Sequence, residues 1–171
     1  MSEKKEHYFI IYLKSLVEKD DRGALASLRR GLGQKPGAAP EMYRYVIPHL
    51  PKNLSEWQEE SYYLIAALFA SHPLSTDKGN LGDHLAKIRT KDNETALERR
   101  FTALLSAHLD DLPDYLRQTI SLLKSKEIPV NWNQMLNDLQ WWSHPEYGDR
   151  VRKRWATAFW GSRQASADES K

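Results

Sequence analysis

The amino-acid sequence predicts an all-α protein of about nine helices, bundle-like and packed as one domain or two small lobes. Apolar residues recur three and four positions apart along most of the 171 residues, the period of an amphipathic helix. Strict apolar–polar alternation is nearly absent, so little of the chain suits a strand. Capping residues or prolines stand directly before the apolar stripes, where helices begin. A hydrophobic content of 40% supplies a core for one domain or two small lobes.

The spacing predicts a first helix over Glu6 to Glu18, with Phe9, Tyr12, Leu13, Leu16 and Val17 on one face. Asp20 or Asp21 can cap a second helix striped by Leu25, Leu28 and Leu32. At 3.6 residues per turn Arg29 falls at the edge of that stripe and Arg30 points further out. Gly31, Gly33, Pro36 and Gly37 end the helix and form a loop that carries Lys35. Pro40 suits the first position of a third helix, through Met42, Tyr45 and Val46 towards Pro48. Ser55 and Gln58 read as the capping box of a fourth helix, apolar nearly all round from Tyr62 to Ala70 and ended by Pro73.

Residues 74–80 read as a loop and the lobe boundary. A short helix follows from Leu81 to Ile88. Asn93 caps a long helix with Leu97, Phe101, Leu104, Leu105 and His108 inside, and Asp111 caps the next, with Leu116, Ile120 and Leu123 inside. Asn131 starts a helix ending in Trp141-Trp142, and a last helix spans about Gly148 to Trp160. The expected organisation is an N-terminal lobe over 6–75, a C-terminal lobe over 81–160 and a disordered tail over 161–171.

Several chemistries are excluded. The chain has no cysteine, so disulfides, thiolate metal sites and a cysteine nucleophile are absent. The six histidines never adopt a ligand spacing such as HExxH, and His108 on an apolar face reads as a core residue. Asp110, Asp111 and Asp114 are better explained by capping and the helix dipole than by a metal ion. Gly31-Leu32-Gly33 lacks the ending of a phosphate-cradling loop, and no serine sits in a nucleophile elbow. No catalytic residues, metal or cofactor are expected. The start of the chain does not read as a signal peptide, and no apolar run approaches the ~18 residues of a membrane span, so a soluble cytoplasmic protein is expected, away from membranes.

What remains is local positive charge on a chain of net charge only +2. Arg22, Arg29, Arg30, Lys35 and Arg44 are opposed within that stretch by Glu41 alone. Arg99 and Arg100 lie in the long helix, Lys87, Arg89 and Lys91 precede it, and Arg150, Arg152, Lys153 and Arg154 crowd the last helix. Arginine stems pack on a helix while their guanidiniums reach phosphates, which positions a nucleic acid without reading its bases. The plain alternative is a solvated helix face, and for 150–154 the neighbouring Trp155 and Phe159 suggest core packing with a charged exterior. Trp141 and Trp142, about 100° apart, cannot both point inward, so one of them meets another lobe or a partner subunit, and both are candidates for that partner interface.

The order and spacing of Leu28-Arg29-Arg30 with its loop, Pro40-Glu41-Met42-Tyr43-Arg44-Tyr45-Val46, Glu98-Arg99-Arg100-Phe101 and Trp141-Trp142 resemble the CasB family, the small subunit of the type I-E CRISPR Cascade surveillance complex. Asp114-Tyr115-Leu116-Arg117-Gln118 and Val130-Asn131-Trp132 add to the likeness, which covers about residues 7–160. The resemblance implies a non-enzymatic subunit of two helical lobes. Two copies line the belly of the assembly and contact each other, the backbone subunits and the large subunit. They hold CRISPR RNA and target DNA by the phosphate backbone and stabilise the R-loop in antiviral defence, leaving sequence recognition to base pairing. It places Arg29, Arg99, Arg100 and Arg117 on the nucleic-acid face, with Arg30, Lys35 and Arg44 beside them. Two other readings stand against it: a helical interaction module whose basic face meets a protein partner, and an enzyme using the carboxylates of Asp110 to Asp114.

Overall fold

Every regular element described in the computed structural model, which covers residues 5–169 and the side chains of 5–161, is helical. Nine α-helices and two short 3-10 segments occur among the described residues, with no strand and one isolated parallel bridge between Ser75 and Val130. The chain divides into two units, residues 1–73 and 74–171.

In the first unit α1 (Tyr8–Glu18) begins behind His7, whose ring accepts the amide of Phe9, and buries Phe9, Ile10, Leu13 and Leu16. Asp20 adopts a left-handed turn (φ 52°), leaving Asp21 to cap α2 (Arg22–Arg29) by accepting from the Ala24 amide at 3.1 Å. The helix expected behind Pro40 is broken into a 3-10 turn (Pro40–Met42), one α-turn α3 (Tyr43–Val46) and a second 3-10 turn (Ile47–His49). Pro48 lacks the amide that would donate back to Arg44, so the α-turn does not continue, although Ile47 itself stays helical (φ −53°, ψ −45°). The capping box at Ser55 and Gln58 is present at the start of α4 (Glu56–Ser71), and Tyr62 to Ala70 are all buried. At Gly31 an added Cβ would lie 2.4 Å from Met42 Sδ and 3.3 Å from Ala67 Cβ. The glycine thus ends α2 and also lets its backbone close onto the Met42 turn and α4.

The second unit holds α5 (Leu81–Ala86), α6 (Glu94–Ser106), α7 (Leu112–Ser125), α8 (Trp132–Trp141) and α9 (Tyr147–Glu169). α9 runs past the end expected at Trp160; most of the tail expected over 161–171 lies outside the described side chains. Gly82 sets the approach of α5 to α9, because a Cβ there would sit 2.0 Å from the Trp155 carbonyl oxygen. Trp155 in turn donates its indole N–H to Asp138 at 2.7 Å, and Gln134 donates to the other carboxylate oxygen at 2.7 Å. This buried carboxylate fixes α8 against α9 with charge-assisted bonds.

His84 is buried, and its Nε2 accepts the Asn131 amide at 3.0 Å, tying α5 to the start of α8. Accepting at Nε2 requires the neutral ring with its proton on Nδ1. Burial, helped by Lys87 and opposed by Asp83, lowers the His84 pKa to about 4. Asn131 also caps α8 by accepting from the Gln134 amide at 3.0 Å.

Three expected inner or capping roles are corrected. His108 is not a core residue: α6 ends at Ser106, Ala107 is extended, and the His108 side chain is 75% exposed beside Asp110 at 3.5 Å. Asp111 and Asn93 occupy N-cap positions without a side-chain bond into the helix they precede. Asn93 instead exchanges bonds with Thr90, at 2.7 and 3.3 Å, and donates to the Ile88 carbonyl.

Candidate nucleic-acid interface

The basic residues singled out from the sequence fall into two kinds once their surroundings are known. In the first unit Arg29 ends α2 and donates to the Ala70 carbonyl at 3.2 Å. That carbonyl belongs to the last turn of α4, whose oxygens lack helical partners, so the guanidinium closes a helix end. Lys35 reaches back to α4 as well, 3.7 Å from Glu56 and 3.6 Å from Glu60. Arg44 lies over the Tyr45 ring at 5.2 Å. Arg30 is exposed and contributes its carbonyl to the Gln34 side chain.

The second unit shows the same sorting. Arg150, Arg152 and Arg154 lie 2.6, 3.6 and 3.9 Å from Glu146, Asp149 and Asp138. Arg152 also covers the Trp142 ring at 4.6 Å. Arg89 donates to the Phe159 carbonyl at 2.7 Å and stacks over its ring. Arg117 pairs with Asp114 one turn earlier, at 3.5 Å. These side chains brace helices with much of their charge already matched.

Arg99 and Arg100 differ. Both are exposed on α6, and no ion pair or hydrogen bond engages either guanidinium among the described residues. The adjacent carboxylate, Glu98, accepts instead from the Trp160 indole at 3.2 Å. Phe101, on the opposite side of the doublet, packs against Phe159 and Trp160 with ring centroids 4.7 and 5.3 Å away. Glu98 and Phe101, one turn apart, thus anchor one face of the helix to α9, while its arginines stay free among the described residues.

The doublet borders a cleft of about 230 Å³ between α6 and α7. Leu97, Phe101 and Ala103 form its α6 wall. Its α7 wall is Tyr115, Gln118, Thr119 and Leu122, at the spacing of a single helix face adjoining the core stripe Leu112, Leu116, Ile120 and Leu123. The structure brings Arg99 and Arg100 together there but leaves Arg117 outside, since it lies about 200° around α7 from Tyr115. Sequence reasoning missed this wall, because Gln118 and Thr119 interrupt its apolar residues Tyr115 and Leu122 and make it read as a solvated face.

The paired tryptophans also separate. Trp142 is 1% exposed and packs on Trp155 at 4.9 Å, which corrects its expected place at a partner interface. Trp141 is 41% exposed, with Tyr147 and His144 edge-on to its ring. Asp110, Asp111 and Asp114 form no metal-ligating group, and none occurs among the described residues. No described helix is long and apolar enough to cross a membrane.

Comparison with known proteins agrees with this architecture. Residues 24–160 match the profile of the family described as CRISPR-associated protein Cse2. A CRISPR-associated protein Cse2 from Thermus thermophilus is 34% identical over 169 residues, spanning 95% of this chain and 94% of that protein. The crystal structure of CasB from Thermus thermophilus superposes with a TM-score of 0.79 at 33% identity, covering 90% of this chain and 96% of that one. That of M. ruber CasB gives 0.77 at 28% identity, over 97% and 98%. A chain of a CRISPR RNA-guided surveillance complex shares the fold, with a TM-score of 0.77 at 24% identity over 96% and 100%. The chain belongs to the Cse2 family of CRISPR-associated proteins.

Proposed function

We propose that this member of the Cse2 family is a non-catalytic small subunit of the type I-E Cascade surveillance complex. It holds nucleic acid by its phosphates, independently of sequence, and steadies the R-loop formed by guide RNA and target DNA. Cytoplasmic assembly with backbone and large subunits and with a second copy of itself completes the reading. The observation that carries it is the exposed, unpaired Arg99-Arg100 doublet on a helix pinned by Glu98 and Phe101. Guanidiniums on an anchored helix with no counter-charge among the described residues suit a polyanion, because binding then sacrifices no existing ion pair.

Arg29, Arg30 and Arg44 in the first unit and Arg117 in the second are secondary candidates for phosphate contact, since each keeps an exposed side chain. Lys35 is the weakest, held between two glutamates. Trp141 is the better candidate for a subunit contact, as an exposed aromatic on a rigid helix end.

The test is the affinity of the purified chain for unrelated DNA and RNA sequences across a salt series. Log affinity should fall linearly with log salt, with a slope of about −0.9 per phosphate engaged on duplex DNA, and be nearly equal between sequences. Affinity that ignores salt while Trp141→Ala abolishes complex assembly would instead make the chain a protein-interaction module.

A further inference from the structure

The cleft beside the free doublet has a shape and lining that phosphate contacts alone do not use. We propose that it receives one unstacked base of a single-stranded nucleic acid, with Arg99 and Arg100 holding the adjoining phosphates. The inference deepens the nucleic-acid reading above and rests on it.

Three features point to a base. The cleft encloses about 230 Å³ and is walled chiefly by carbon, from Leu97, Phe101, Ala103 and Leu122. Leu97 and Phe101 are buried at its base, so the half-buried Tyr115 ring is the aromatic face left for an occupant, and base–aromatic stacking tolerates any base, since all four have a π-face. Two guanidiniums without partners among the described residues stand at its border, so an occupant that is apolar in the cleft and anionic at the rim is favoured over an apolar side chain alone. Guanidinium planes also stack on bases. Finally, Gln118, the Tyr115 hydroxyl and the Thr119 hydroxyl oxygen line the cleft and can meet a base edge. A carboxamide offers donor and acceptor alike, so these contacts do not select one base.

A duplex cannot supply this occupant, because its base faces are stacked inside and it presents sugars and phosphates to a surface. The cleft therefore separates single strands from duplexes, a distinction that charge alone makes poorly.

The experiment measures anisotropy with the full chain and a labelled oligothymidylate of about 12 nucleotides, within the site sizes of single-strand grooves. An oligomer of the same length built from abasic residues is the control. The abasic oligomer should bind about tenfold more weakly, the gain expected of a single stacked base. Ala103→Trp, which fills the cleft, should weaken oligothymidylate binding by about the same factor while leaving the abasic oligomer and the salt slope unchanged. Should that variant fail to fold, the comparison of the two oligomers on the unaltered chain still decides. Equal affinities for both, still reduced by Arg99→Ala with Arg100→Ala, would overturn the base-binding cleft and leave phosphate binding intact. Equal affinities with no salt dependence would overturn both. Base-independent binding together with an Ala103→Trp chain that no longer joins the assembled complex would assign the cleft to a protein neighbour and also overturn the proposal.

Discussion

Arg29-Arg30 in the first unit and Arg99-Arg100 in the second are the same dipeptide on exposed helix positions, yet their surroundings differ. Arg29 closes the end of α4 through the Ala70 carbonyl, and the lysine that follows it lies between Glu56 and Glu60. Arg99 and Arg100 meet no acceptor among the described residues, and the neighbouring carboxylate is engaged by Trp160. Positive charge counted along a sequence is thus a poor measure of charge available to a ligand. What matters is how much of it the fold has already matched.

The largest expected effect separating the two regions is acid. His84 supports the second unit as a neutral acceptor, and its folded pKa of about 4 lies below the ordinary 6.5. Between those values the unfolded chain binds a proton that the folded chain refuses, so stability is complete above pH 6.5 and falls as pH drops towards 4. The loss at pH 4 is roughly 3 kcal/mol at 1.36 kcal/mol per unit. Urea melts at pH 7 and pH 4.5 measure it, and His84→Gln should flatten the difference.

Next in size, Arg29→Ala should cost about 1 kcal/mol, the worth of a net hydrogen bond at a helix end, visible as a lower urea midpoint. Arg99→Ala and Arg100→Ala should each change stability by less than about 0.5 kcal/mol, as for surface substitutions without partners. If the two doublets destabilise alike, their structural contrast is wrong. Smallest of all is Lys35→Ala, with about 0.5 kcal/mol or less for its exposed ion pairs and an unchanged salt slope of binding; a clear drop in slope would return Lys35 to the nucleic-acid face.

Local signals in the sequence were sufficient for most helices. The capping box of Ser55 and Gln58, the caps at Asp21 and Asn131 and the stripes of α6 and α7 appear where they were expected. The 100° rule also foretold that Trp141 and Trp142 would separate, but not which one the α8–α9 junction would bury. The errors have local physical causes. Pro48 fragments the third helix, and the extended Ala107 carries His108 out of the stripe. The site was less legible because the partners of its charges are remote in sequence. Ala70 is 41 residues from Arg29, and Trp160 is 62 from Glu98. Only the folded chain shows which arginine is already engaged.

Arg99-Arg100, more than Arg29-Arg30, is proposed to present free charge to nucleic acid. The most direct test is the salt dependence of single-strand affinity for the unaltered chain and for alanine replacements of each doublet. Removing Arg99 and Arg100 should reduce the slope by about 0.7 for each phosphate of a single strand that is no longer neutralised, whereas removing Arg29 and Arg30 should reduce it less while lowering stability. An unchanged slope for the Arg99/Arg100 variant, or a larger fall for the Arg29/Arg30 variant, would contradict the account.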